Sequence, residues 1–141
     1  MIDKLMRTLQ EVTEGVKQQA GQFGADAKEK TSQIIEDWLR IFPKLDAIGL
    51  KIYSFGLGVA LSPSLEVELV GKHEDFSPGH LEALLEQYKE DRAMRTVLST
   101  ISTTYKMHRR VEAELREPLI VKVRIKLSPE VKVFIGEPII Q

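Results

Sequence analysis

Two stretches of the sequence, 66 residues apart, share one pattern of alternating apolar and polar residues around a Ser-Pro pair. Leu61-Ser62-Pro63 in the first stretch recurs as Leu127-Ser128-Pro129 in the second. The apolar residues that match at this offset are Phe55, Leu57, Val59, Leu65, Val67 and Leu69 with Val121, Val123, Ile125, Val131, Val133 and Ile135. Strict alternation interrupted by turn residues predicts a β-hairpin. We therefore predict one hairpin within residues 45–71 and a second within 119–136, and we expect their matched aliphatic rows to be buried together.

The first of these stretches changes parity near its start. Ile48, Leu50 and Ile52 occupy even positions, whereas Phe55 and the apolar residues after it occupy odd ones. A shift of one residue moves a strand's side chains to the opposite face of the sheet. One extra residue in a β-bulge restores the alternation, so we predict a bulge or bend near Tyr53.

A helical segment precedes each hairpin. Within residues 2–42, one helical face is formed by Ile2, Leu5, Leu9, Val12 and Val16. From Val16 the pattern becomes close to an eleven-residue repeat, with Ala20, Phe23, Ala27, Thr31, Ile34, Trp38 and Phe42. Pro43 is expected to end this segment. Residues 77–115 begin with Ser77-Pro78, a capping hydroxyl followed by proline at the first helical position. The β-branched and hydroxyl residues between Thr96 and Tyr105 are expected to kink or break this second helix.

These elements predict an α+β protein with the order α-ββ-α-ββ. Its two hairpins are expected to form a four-stranded, largely antiparallel sheet, with two long helical segments against one face. A chain of 141 residues suits a single domain. We divide it into an amphipathic N-terminal helical segment, residues 1–42, and an α+β domain, residues 43–141, which are expected to form one compact unit.

The length of the N-terminal segment points to an interaction. An unbroken helix over residues 2–42 would be about 60 Å long, whereas a compact domain of this size has a radius of gyration of about 14 Å. The segment is therefore expected to break near Gly15, Gly21 and Gly24, or to project and meet another chain or a surface. Packing on protein is favoured over a membrane surface, because the middle of the segment is polar.

No recognisable catalytic, cofactor or metal motif is present in the sequence. The chain has no cysteine, which excludes disulfides, thiol catalysis and Cys-based metal sites. The N-terminus has no continuous apolar stretch of the kind a secretory signal requires, and no run approaches the roughly 20 apolar residues of a membrane span. We expect a cytoplasmic protein without a transmembrane segment, catalytic residues, metal or cofactor.

The three histidines are the residues with most potential for chemistry. His73 and His80 flank a Pro-containing turn and match no zinc or oxygenase spacing, so they are interpreted as surface-loop residues. His108 lies in the second helical segment. If the chain were an enzyme, these histidines and Asp75 would be the most plausible participants, but the expectation is that it is not one.

Basic residues concentrate in the second half of the chain. Residues 92–141 carry a net charge of +5 and residues 1–91 a net charge of −6. Lys122, Arg124 and Lys126 share one face of a predicted strand and form a candidate interaction surface for nucleic acid or anionic lipid. The favoured interpretation is instead a cross-strand charge ladder with Glu66 and Glu68. The strand also lacks interleaved aromatic residues, so a nucleic-acid partner is disfavoured.

A second candidate interaction surface lies on the first hairpin. Gly56 and Gly58 alternate within a strand, and glycine in a strand often marks the close approach of another backbone. We expect a helix, from the same chain or from a partner, to cross this face. Phe23 and Trp38, two large aromatic residues of the N-terminal segment, complete the candidate set.

The function that these features favour is a non-catalytic protein-interaction or assembly module, expected to form a homo-oligomer or to bind a protein partner. One alternative is a carrier of an apolar or anionic small molecule or lipid. A further alternative is a peripheral binder of anionic membrane or nucleic acid through the basic C-terminal half.

Overall fold

The computed structural model describes residues 25–60 and 63–140, the first four of them as backbone only. Phe23 and the start of the N-terminal segment lie outside these residues. In chain order the elements are helix α1 (Ala25–Leu39), helix α2 (Phe42–Ala47), strand β1 (Lys51–Val59), strand β2 (Pro63–Gly71), a 3-10 turn (His73–Phe76), helix α3 (Pro78–Gln87), helix α4 (Arg92–Arg110), strand β3 (Leu119–Ile125) and strand β4 (Glu130–Ile135).

The strands form one antiparallel sheet in the order β1-β2-β3-β4. The two hairpins join through β2 and β3, where Leu65 lies opposite Ile125 and Leu69 opposite Val121. The predicted α+β class, the four-stranded antiparallel sheet and the order of elements are confirmed. The helix count differs from the prediction, because each of the two helical segments is divided.

Both hairpins have the same register. Leu57 pairs with Leu65 in the first and Val123 with Val131 in the second, as the offset of 66 residues requires. The register of β1 shifts between Ile52 and Ser54, which confirms the bulge predicted near Tyr53.

The first helical segment divides near Arg40, where a turn separates α1 from α2. Pro43 does not end the segment as predicted; it lies in the first turn of α2. This position needs no donated helical hydrogen bond, so the ring is tolerated there. α1 packs against β2 and β3, and the side chains of Ile35, Leu39 and Leu45 are buried in the core.

The second helical segment begins as predicted, since Ser77 precedes α3 and accepts a hydrogen bond from the backbone N–H of His80. The predicted kink between Thr96 and Tyr105 is wrong, because α4 runs through these residues without interruption. Thr96 and Thr100 donate their hydroxyl protons to the carbonyl oxygens four residues earlier, at 2.9 and 2.7 Å. The division falls between Tyr88 and Asp91 instead.

The helices cover one face of the sheet unevenly. α1 contacts β2 and β3, α4 contacts β4, and among the helices described only the short α2 is in extended contact with β1. The rows on β2 and β3 are buried and that on β4 is partly buried. The expectation that all matched rows are buried is therefore wrong for β1, all nine residues of which are exposed.

Candidate interaction surface

The most exposed part of the sheet is its first strand. β1 pairs with β2 along one side, and no other strand in residues 25–60 or 63–140 pairs with its far side. We call this far side the open edge. Lys51, the first residue of β1, is the only charged residue in the strand. A strand with an unpaired side offers backbone N–H and C=O groups to another extended chain.

The face of β1 that points to the helix side carries an apolar row. It consists of Ile52, Phe55, Leu57 and Val59, which are 46, 44, 40 and 42% exposed. We call these four residues the β1 apolar row. Phe55 lies opposite Val67 and Leu57 opposite Leu65, both buried in the core. The row is thus continuous with the core but is left half-covered by the described helices, and covering it would remove further apolar surface from water.

The opposite face of β1 is lined by small side chains. Ser54, Gly56 and Gly58 pair with Glu68, Glu66 and Ser64. A Cβ added at Gly56 would lie 4.0 Å from the Glu66 carbonyl oxygen, and one at Gly58 would lie 2.8 Å from Ser64 Oγ. These glycines lie on the face of the sheet that the described helices do not occupy. The expected helix across this face is therefore not found within residues 25–60 or 63–140.

The sheet's other edge is better protected than the open edge. β4 has six residues against nine in β1. Two residues of β4 are charged, Glu130 and Lys132, and α4 packs against the strand. Charged side chains and a covering helix are common means of preventing unwanted strand pairing. Along residues 54–59, β1 has no charged residue and every residue is exposed.

The basic residues of β3 form the cross-strand ladder that the sequence favoured. Arg124 Nη2 lies 2.8 Å from Glu66 Oε1, and Lys122 Nζ lies 3.7 Å from Glu68 Oε2. Lys122 Nζ also lies 5.2 Å from the centre of the Phe134 ring. Since both basic residues already contact carboxylates, their charge on this face is largely compensated. Lys126, half-buried beyond the end of β3, has no carboxylate partner within 4.0 Å in the described part of the chain.

Of the two aromatic candidates, only Trp38 can be placed. It is 8% exposed and belongs to the core. Its remaining surface lines an open depression between α1, α2 and the start of α4, together with Lys44, Asp91 and Arg92. Phe23 lies outside the described residues. The structure therefore does not bring Trp38 next to Gly56 and Gly58, because it lies on the helix side of the sheet.

A buried polar cluster that the sequence did not reveal lies at the end of β2. His73 is 7% exposed, so its interpretation as a surface-loop residue is wrong. Its Nε2 lies 2.6 Å from the carbonyl oxygen of Arg116 and its Nδ1 lies 2.6 Å from the Tyr105 hydroxyl. Because a carbonyl only accepts, Nε2 donates to Arg116, and in the tautomer with its proton on Nε2 the ring accepts the Tyr105 proton at Nδ1. Glu117 accepts a hydrogen bond from the backbone N–H of His73 at 3.1 Å.

This cluster has the properties of a structural contact and not those of a nucleophile. Burial, followed by the negative charge of Glu117, raises the pKa of Tyr105, so the hydroxyl keeps its proton at neutral pH. The other residues considered for chemistry are not buried with it: Asp75 and His80 are exposed, and His108 lies half-buried in the last turn of α4. Within the described residues, no three His, Asp or Glu side chains are grouped to hold a metal ion.

None of the helices described in the structure is long and apolar enough to cross a membrane. Comparisons of this chain with protein-family models, with curated proteins and with solved structures found no match. The candidate interaction surface is defined by the geometry of β1: its open edge, the β1 apolar row on one face and the glycines on the other.

Proposed function

We propose that this chain is a non-catalytic, cytoplasmic assembly module that associates with a second copy through the open edge of β1. The observation that carries this proposal is the contrast between the two edges of the sheet. β4 is short, charged and packed against α4, whereas β1 is long and uncharged after Lys51. Natural proteins commonly protect exposed edges, so an edge without such protection favours a partner strand.

Antiparallel pairing of two β1 strands suits the residues of this strand. A two-fold axis through the strand pair would give one sheet of eight strands, with the β1 apolar rows of both copies side by side on one face. On the other face, Gly56 and Gly58 have no side chains that could crowd those of the partner. Backbone hydrogen bonds along the strand would supply much of the affinity, as in other interactions by strand addition.

The charges of the outer sheet face support this partner over a polyanion. A nucleic acid or an anionic membrane would have to compete with Glu66 and Glu68 for Arg124 and Lys122. β1 carries no acidic residue and one basic residue, so two copies approach each other along residues 54–59 without like-charge repulsion.

Sedimentation equilibrium of the wild type and of Gly56→Lys tests the proposal. The Gly56 position has room for a Cβ, since the nearest atom would be the Glu66 carbonyl oxygen at 4.0 Å, so the variant should fold. Lysine on an edge strand opposes strand pairing, and two such residues would lie close together in the dimer. We expect the wild type to dimerise reversibly and Gly56→Lys to be monomeric.

Ser99→Lys is the matched control, because it adds the same charge at an exposed position of α4 far along the chain from β1. It should dimerise like the wild type. A wild-type chain that stays monomeric at the highest attainable concentration would refute the proposal, as would a Gly56→Lys variant with an unchanged dimerisation constant.

A further inference from the structure

We propose that residues 2–16 of the same chain dock as an amphipathic helix on the β1 apolar row. This inference goes beyond assembly through the open edge, because it concerns the helix-side face of β1 and not its hydrogen-bonding side. The two contacts can therefore form together or separately.

The first argument is the uneven coverage of the helix-side face. α1 packs on β2 and β3, and α4 packs on β4. The short α2 contacts β1 but leaves every residue of the β1 apolar row at least 40% exposed. Helices pack about 10 Å apart, roughly the width of two strands. A further helix beside α1, over β1, would complete the layer.

The second argument is the match between the segment and the row. Ile2, Leu5, Leu9, Val12 and Val16 lie at helical spacing on one face. As a helix this stripe would extend about 21 Å. The β1 apolar row, from Ile52 to Val59, extends about 23 Å. The row contains no charged residue, so its complement is an apolar stripe of this kind and not a charged segment.

The third argument is the length of chain between the stripe and α1. Residues 17–24 separate Val16 from Ala25, the first residue of α1. Eight residues are enough to connect two neighbouring antiparallel helices. Gly21 and Gly24 provide the conformational freedom that such a reversal needs. The first described helix, α1, packs on β2, which is the strand next to β1. A helix placed beside α1, at about one interhelical distance, would therefore lie over β1.

Thiol labelling of a cysteine introduced into the row tests this docking, since the wild-type chain has no cysteine that would interfere. In full-length Leu57→Cys, we expect labelling at least about tenfold slower than in Ser54→Cys, the factor that corresponds to about 1.4 kcal/mol of docking free energy. Ser54 lies in the same strand but on the opposite face. Adding Leu5→Glu with Leu9→Glu to the Leu57→Cys variant should bring its labelling rate close to that of Ser54→Cys.

Arg7→Glu is the matched control for the segment. It changes the net charge by the same amount as the two Leu→Glu substitutions, but it lies on the opposite side of the predicted helix. Combined with Leu57→Cys, it should leave the introduced thiol protected. Protection should also be independent of protein concentration and persist with Gly56→Lys, because docking is within one chain.

Three outcomes would overturn the inference: equal labelling rates for Leu57→Cys and Ser54→Cys, loss of protection on dilution, or protection that Leu5→Glu with Leu9→Glu leaves unchanged. Loss of thiol protection on dilution would show that a second copy, and not residues 2–16 of the same chain, covers the β1 apolar row. These outcomes are separate from the failure of the assembly proposal, which would appear as a monomeric wild type.

Discussion

The Nδ1 atom of His73 lies 2.6 Å from the hydroxyl oxygen of Tyr105, and both side chains are buried. The two rings also meet edge to face, with their centres 5.5 Å apart. This contact joins the residues that follow β2 to the last part of α4. It fixes one end of the helix over the sheet, next to the backbone of Arg116.

Replacing Tyr105 by phenylalanine should destabilise the protein and change its alkaline stability. Loss of the hydroxyl leaves His73 Nδ1 buried without its donor, which costs about 1–3 kcal/mol. Because burial raises the pKa of Tyr105 above its ordinary value of 10.0, the tyrosine contributes stability below pH 10 that is lost as the pH rises further. The wild-type free energy of unfolding should fall above pH 10, by up to about 1.4 kcal/mol per pH unit from this group.

Urea unfolding at a series of alkaline pH values measures this effect. The difference between wild type and Tyr105→Phe should shrink as the pH rises above 10. A difference that stays constant over this range would contradict the assignment of the raised pKa to Tyr105.

Asp91 should contribute to stability both as a helix cap and as a charge. Its Oδ1 accepts a hydrogen bond from Met94 N at the start of α4, and its Oδ2 lies 2.6 Å from Lys44 Nζ. Partial burial acts to raise the pKa of Asp91, but the hydrogen bonds and the charge of Lys44 together lower it below 3.8. The stabilisation by the ionised group is therefore present above pH 3.8 and is lost as the pH falls through the lower folded-state value.

Two substitutions separate these contributions. Asp91→Ala removes cap and charge and should cost about 1–2 kcal/mol at neutral pH. Asp91→Asn keeps a capping oxygen and should cost less. Thermal unfolding at pH 7 and below pH 3 measures both variants; the deficit of Asp91→Asn should disappear at the acidic end, and an equal deficit at both values would count against the ion pair.

The ladder between β2 and β3 should make a small contribution to stability. Arg124→Glu would place a carboxylate opposite Glu66 and should destabilise the protein by about 0.2–1 kcal/mol, since both side chains are half-exposed. The double variant Arg124→Glu with Glu66→Arg should recover most of this loss. Chemical denaturation of the four proteins in a double-mutant cycle measures the interaction, and a coupling energy of zero would remove the ladder as a stabilising feature.

Gly71 should not tolerate a side chain. A Cβ at this position would lie 3.0 Å from Phe76 Cε2, 3.1 Å from Leu50 Cδ2 and 3.2 Å from the Gly49 carbonyl oxygen. Gly71→Ala should therefore destabilise the protein by about 1–3 kcal/mol. Gly79, in the first turn of α3, has no atom within 4 Å of an added Cβ, and Gly79→Ala should stabilise it by up to about 1 kcal/mol. Equal melting temperatures for the two variants would contradict this difference.

Local patterns in the sequence were sufficient to predict the secondary structure of the hairpins. The alternation around Leu57 and Val123 predicted both strands of each hairpin, and the change of parity predicted the bulge between Ile52 and Ser54. Ser77 signalled the start of α3. These features depend on residues close in sequence, which is why they could be read from it.

Of the errors about helix boundaries, one has a local cause and the other a tertiary one. Thr96 and Thr100 were expected to disturb α4, but the helix supplies carbonyl partners for their hydroxyls. The division before α4 coincides with Asp91, whose carboxylate is held by Lys44, 47 residues earlier. A contact of this range has no signature in a single sequence.

The sequence by itself determined the hairpins, their common register and the face on which each strand's apolar residues lie. The reason is that side chains alternate between the two faces of a strand with a period of two residues, so these features depend on residues close in sequence. Only the tertiary structure decided how much of each face is covered. Phe55 and Val121 occupy matching positions in the two hairpins, yet Phe55 is exposed and Val121 is buried. The physical reason is that burial depends on which helix reaches a strand: α1 lies over β2 and β3, and β1 is left as an open edge.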